Sequence, residues 1–155
     1  MACNSLLDAG DALSFEFLDH TADTAVRLKS ADPKELFRDA TRALLAIFVA
    51  SGEGSPVVPR ASLPIRVEAE DGETLLVDYL NELVFLFDTK QFLALDLEAS
   101  VVELEAPSRV EGTLKGETFD PARHVVKTEV KAATFHGMEI KKTKEGLEAD
   151  VVFDL

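Results

Sequence analysis

Only one cysteine, Cys3, occurs in the sequence, so no disulfide can close within the chain. A reducing compartment suits such a protein. Basic residues are scarce: 16 Lys and Arg stand against 29 Asp and Glu, a formal net charge of −13. Affinity for nucleic acid comes mostly from cations that displace counterions around phosphates, so strong direct binding of RNA or DNA is not expected. An acidic field instead favours encounter with a basic protein partner. Its plainer meaning is solubility. Long apolar runs are also missing, and no stretch approaches the roughly 18 residues of a membrane span. Residues 1–14 have neither a basic start nor the apolar run of a signal peptide, and read as a loose tail. A cytoplasmic protein is expected. Three chemical signatures are absent as well: a phosphate-cradling glycine loop, a nucleophile elbow, and the Cys/His spacing of a zinc site.

What is present suits one domain, residues 15–155, built on a globular composition with 46% hydrophobic residues. From Phe15 to Lys29 the pattern is that of a strand, but its parity changes. Phe15 and Phe17 point one way, while Leu18, Ala22, Val26 and Leu28 occupy the other parity. Side chains alternate faces along a strand, so a bend, bulge or loop must lie between two pieces, within residues 18–23. Asp32, Pro33 and Glu35 then signal a helix start, followed by Leu36, Ala40, Ala43, Leu44 and Ile47 at helical spacing. Leu63, Ile65, Val67 and Ala69 alternate with charged residues in a strand that Pro64 marks for an edge. Asp71 caps a second helix, predicted over 73–89. Its apolar residues nearly encircle it, leaving Asp78, Asn81 and Glu82 as a narrow polar stripe. Such a helix is central to a core or covered by a partner. The remainder reads as strands. One carries Leu95, Leu97, Ala99 and Val101, and another carries Val110 to Gly116. A long strand runs over 130–140, and a last strand, Leu147 to Leu155, comes after a turn at Lys144-Glu145-Gly146. The expected class is α+β, a mostly antiparallel sheet with two main helices packed on one face.

Few residues offer chemistry. Asp23 lies beside the irregular stretch that also holds Asp19 and His20, and irregular backbone with ionisable side chains is a natural place for a site. Asp154 stands on the polar parity of the last strand with Glu148 and Asp150, and Leu155 then carries an α-carboxylate. Adjacent carboxylates repel one another unless a cation lies between them, and oxygen ligands of this kind favour calcium, magnesium or manganese. Acidic residues at a terminus are also commonly just solvated. Lys131 is either functional or a surface residue paired with Glu129. His20, His124 and His136 are candidate ligands or general bases; His136, on the apolar parity, also reads as a hydrogen-bonded core residue. Half of the basic residues fall in the last third of the chain. Little aromatic interleaving accompanies them, so no stacking platform for single strands is indicated.

The same residues carry a resemblance. Phe15 to Asp23, with Leu18-Asp19-His20-Thr21-Ala22-Asp23 at its centre, resembles the opening motif of the archease family. The helix opening Asp32-Pro33-Lys34-Glu35-Leu36-Phe37, the stretch Leu75 to Leu83, the run Glu129-Val130-Lys131-Ala132 to His136, and the ending Val151-Val152-Phe153-Asp154-Leu155 are similar to the later motifs of that family. Several separated motifs in the right order are more specific than any one of them. Two positions depart from the pattern: Leu155 stands where Ile is commoner, and Phe135 where Tyr is common. The resemblance implies an archease-like fold and an accessory protein rather than an enzyme. It implies activation of an RNA-splicing ligase of the RtcB family, through ligase guanylylation and multiple turnover in tRNA splicing or RNA repair. It further implies a divalent metal ion on Asp23, Asp154 and the Leu155 main-chain carboxylate, calcium first, with manganese or magnesium as alternatives. Asp23, Lys131 and Asp154 would serve activation, and Asp19, His20 and His124 would support it. Two rival expectations are a metal-dependent phosphoester hydrolase using Asp23, His20 and His124, and a chaperone-like interaction module resting on the apolar second helix.

Overall fold

The computed structural model describes residues 15–18, 24–49 and 54–155. The element order is β1 (Phe15–Leu18), β2 (Thr24–Ser30), α1 (Pro33–Phe48), β3 (Ala61–Ala69), α2 (Gly72–Lys90), β4 (Phe92–Glu103), β5 (Ser108–Thr118), β6 (Ala132–Thr134), β7 (Ile140–Thr143) and β8 (Gly146–Asp154). This is the expected α+β class, with two main helices and antiparallel pairing throughout the described ladders. The strands divide into two sheets rather than one. One has the order β1-β2-β8-β6 with β7 also on β8, and the other has the order β3-β5-β4. Each helix bridges the two: α1 packs on β2 and β4, and α2 on β3, β4, β5 and β6.

Both helix starts arise from their caps. The Asp32 carboxylate accepts from the Glu35 N–H at 2.9 Å, with Pro33 first in the helix, and Asp71 accepts from the Thr74 N–H at 2.8 Å. Each cap satisfies an orphan donor and stabilises its helix by ~1 kcal/mol. Most of the apolar surface of α2 goes into the protein's own core, with Phe85 left exposed. Leu75, Leu76, Tyr79, Leu80 and Leu83 are all buried, against Phe37, Leu44 and Leu114 among others. Tyr79 keeps its hydroxyl satisfied there, 2.6 Å from the Thr41 hydroxyl, which in turn lies 2.7 Å from the Phe37 carbonyl. Burial pushes the Tyr79 phenol above its ordinary range.

The parity switch near the N-terminus is a chain reversal. β1 and β2 form an antiparallel pair in which Phe15 faces Leu28 and Phe17 faces Val26, so the two parities share one face. Among the described residues β3 pairs only with β5, at the edge that Pro64 predicts. Two expectations need correction. β4 is not a single alternation, because Leu95 and Ser100 are extra residues where the register with β5 shifts. Beyond the second bulge Val102, not Val101, packs against the core. The strand expected over 130–140 is also interrupted. β6 and β7 both lie along β8, and between them Phe135 to Met138 form a turn closed by the Met138 N–H on the Phe135 carbonyl, 3.0 Å. Gly137 takes φ 69° there, and His136 is exposed instead of lying in the core. Among the described residues no helix is long and apolar enough to cross a membrane.

Candidate functional site

β8 organises the site because it is paired along both edges. On one side Thr24 of β2 lies opposite Phe153; on the other, Ala132 of β6 lies opposite Asp154. One further bond extends the second ladder, from the Lys131 N–H to the Asp154 carbonyl at 2.9 Å. Lys131 and Asp154, 23 residues apart in sequence, therefore meet at one corner, and both side chains are exposed. Neither carries an ion pair among the described residues, so the Glu129 partner considered for Lys131 is not taken up. The Leu155 side chain is half-buried and packs on the core, which pins the residue after Asp154. Asp19, His20 and Asp23 lie outside the described residues. Thr24, the chain neighbour of Asp23, is the residue facing Phe153.

Other acidic residues of β8 are differently occupied. Asp150 holds Arg27 of β2 in a two-pronged pair, 2.8 Å from Nε and 3.0 Å from Nη2. The Arg27 hydrogen bond keeps the Asp150 carboxyl below its usual range despite partial burial. Glu148 lies 3.8 Å from the same guanidinium. These carboxylates are neutralised across the sheet, whereas Asp154 has no such partner among the described residues. Among the described residues no three acidic, His or Cys side chains gather in a metal-binding group. The Asp154 side chain, without an ion pair among the described residues, offers carboxylate oxygens at this corner, the donor type that hard cations take.

His124 sits elsewhere, in a sealed polar knot. It is 2% exposed, and its Nδ1 accepts from the Asp120 N–H at 2.9 Å. The proton then resides on Nε2, which donates to Glu117 at 3.1 Å. Glu117, 4% exposed, also accepts from the Val58 N–H at 2.8 Å and from the Arg123 guanidinium. Burial by itself would raise the Glu117 carboxyl, but these hydrogen bonds together hold it below the ordinary range. Both His124 nitrogens are thus engaged.

One residue at the site escaped functional reading. Asn81, from the polar stripe of α2, receives the Ala133 N–H on Oδ1 at 2.7 Å and donates from Nδ2 to the Ala133 carbonyl at 3.2 Å. Two turns earlier Glu73 accepts from the Ile140 N–H at 3.0 Å. The stripe was legible as polar; its use against the flank of β6 and β7 was not, because the sequence does not show which strand passes beside it.

The sequence matches the Archease protein family (MTH1598/TM1083) over residues 15–155. It is 36% identical over 143 residues to the protein archease of Archaeoglobus fulgidus, covering 92% of this chain and all of that one. It is 33% identical to the protein archease of Methanopyrus kandleri, again over 92% of this chain and 100% of the relative. Among solved structures, it is similar to the solution structure of protein 1598 of Methanobacterium thermoautotrophicum. That likeness has a TM-score of 0.74 and 30% identity, and covers 93% of this chain and 100% of that one. The crystal structure of an archease from Thermotoga maritima, described as a possible chaperone, shares the fold at a TM-score of 0.60 and 20% identity, covering 89% of this chain and 94% of that one.

Proposed function

The chain belongs to the archease family, and from that premise we propose that it is an accessory protein activating an RNA-splicing ligase of the RtcB family, not an enzyme itself. It promotes ligase guanylylation and repeated turnover in tRNA splicing or RNA repair. The observation that carries the reading is the Lys131 N–H bond to the Asp154 carbonyl, which brings the main chains of two exposed, oppositely charged residues together at one corner. Asp23, Asp154 and the main-chain carboxylate of Leu155 would hold a divalent ion, calcium first, with manganese or magnesium as alternatives. The oxygen-only donor set fits such ions, and among the described residues Asp154 has no cationic pairing of the kind that occupies Asp150. When bound, the ion supplies positive charge at the end of β8. The acidic surface steers the protein toward a basic partner. The Lys131 ammonium pairs with a ligase carboxylate or a nucleotide phosphate. A cytoplasmic location accompanies this reading.

A second reading, a protein-interaction module of broader range, draws on the exposed rings of Phe85 and Phe135, 57% and 55% accessible. Its first motive is reduced to Phe85, since the rest of the apolar surface of α2 packs in or against the protein's own core. The hydrolase reading has lost its only described base, His124, to Asp120 and Glu117. The test is a multiple-turnover ligation assay with the cognate ligase, with this protein and with its Asp154→Lys variant. Stimulation by the native protein and none by the variant is expected. Equal stimulation by both would overturn the role given to the corner, and equal suppression of client aggregation by both would favour the module.

A further inference from the structure

Asn81 does something no other described residue does: it completes the edge of β6 with a side chain. β6 has three residues, and its flank away from β8 has no strand beside it among the described elements. An edge of that kind leaves backbone groups to water and frays. Here the middle residue, Ala133, has both its N–H and its C=O taken by one amide, at 2.7 and 3.2 Å. Only a primary amide can answer a peptide group in this way, because it places one acceptor and one donor next to each other. A carboxylate would turn an acceptor on the Ala133 carbonyl, and a shorter or apolar side chain would answer neither group. The bond to Oδ1 also fixes which way the amide points, since the Ala133 N–H needs an acceptor.

The consequence reaches the corner. Ala132, the residue before Ala133, is paired with Asp154, and Lys131 before that donates to the Asp154 carbonyl. β6 is thus the outer support of the end of β8, and α2, a long helix buried in the core, is what holds β6. We infer that Asn81 is a positioning residue for the terminal carboxylates: through Ala133 it fixes β6, and through β6 the direction in which Asp154 and Leu155 present their oxygens. This inference rests on the proposed ion site. Groups that orient ligands without touching the ion change affinity about 10- to 100-fold when lost.

The control is built into the same helix. Glu73 ties α2 to the same flank through the Ile140 N–H, and Ile140 pairs with Ala149, five residues before Asp154. Calcium binding to the intact protein is measured by titration calorimetry for the native chain, Asn81→Ala, Asn81→Asp and Glu73→Ala, well below their unfolding temperatures. Hydrogen exchange of the Lys131 and Ala133 amides is measured in parallel. Expected are an affinity loss of about tenfold or more in Asn81→Ala, a smaller loss in Asn81→Asp, faster exchange at both amides, and native affinity in Glu73→Ala. Native affinity in Asn81→Ala, or an equal loss in Glu73→Ala, would overturn the inference and leave the ion site standing. A native protein that takes up no calcium, manganese or magnesium would overturn the ion site itself, and the inference with it.

Discussion

Glu117, next to last in β5, and Asp154, last in β8, are both carboxylates at the C-terminal end of a strand. Their surroundings are opposite. Glu117 is enclosed and accepts from a backbone N–H, a guanidinium and an imidazole. Asp154 is open to solvent and unpaired among the described residues, with Lys131 beside it. A buried charge persists only when its partners replace water, and those partners are then no longer available for chemistry. An exposed charge needs no such replacement, so it remains free to take a ligand. The number of ionisable groups in a cluster is therefore no measure of how free its charges are to take a ligand. The richer cluster ties β5 and the 119–131 segment to the 54–60 segment, and the sparer one faces outward.

That contrast can be broken from either end. The largest stability effect is expected from Glu117→Ala, which strands the Val58 N–H, Arg123 and His124 together. Chemical denaturation should show a loss of about 3–5 kcal/mol, with ion uptake by the remaining folded protein unchanged. A parallel loss of ion affinity would mean that the two regions are coupled. His124→Ala removes one partner from each of Asp120 and Glu117 and is expected to cost about 1–3 kcal/mol, read the same way.

Acid should act on the enclosed region as well. Glu117, Asp120 and Asp150 all have folded-state values below their ordinary ones. Between folded and unfolded values the unfolded chain binds more protons, so stability rises with pH there. Their contribution is complete above the unfolded values, about pH 4–4.5, and disappears as pH falls through the lower folded ones. Asp78 is shifted upward by burial and works in the opposite sense, since protonation relieves its cost. A melting-temperature series is expected to be flat near neutrality and to fall below about pH 4, less steeply in Glu117→Gln. The smallest stability effect belongs to Lys131→Met, within about 0.5 kcal/mol. The same variant is expected to lose most ligase stimulation. A stable variant with native stimulation would remove Lys131 from the corner's function.

Local signals make the helices, the edge strand and the last hairpin legible in the sequence alone. Asp32, Pro33 and Asp71 act within one helical turn, and the Pro64 ring forbids a second ladder whatever the rest of the chain does. The features that stayed hidden depend on residues far apart. Nothing near Leu95 or Ser100 announces a bulge, because the bulge exists only relative to β5. The even parity of residues 130–140 looked continuous because β6 and β7 do share one neighbour, and only the turn at Phe135 to Met138 divides them. Glu117 lies next to a glycine on a strand and has no periodic mark of burial. Its partners Val58, Arg123 and His124 come from two loops. At the candidate site, Asp154 and Lys131 were named from sequence, and their meeting was not, since it needs the register of β6 on β8. Asn81 was seen as polar but not as a partner, for the same reason.

The two bulges of β4 lie opposite the two glycines of β5. Ala94 pairs with Gly116 just before extra Leu95, and Ala99 with Gly112 just before extra Ser100. A methyl group at position 116 would come within 1.9 Å of the Leu93 carbonyl oxygen, and one at 112 within 2.4 Å of that of Glu98. Each extra residue and its facing glycine are therefore one heritable unit. A lineage that deletes residue 95 or 100 regularises the ladder and releases the opposite position to carry a side chain, while a lineage that keeps the insertion must keep the glycine. Chain length in one strand and residue identity in its neighbour should change together across relatives, a covariation between a gap and a letter that residue-by-residue comparison would overlook.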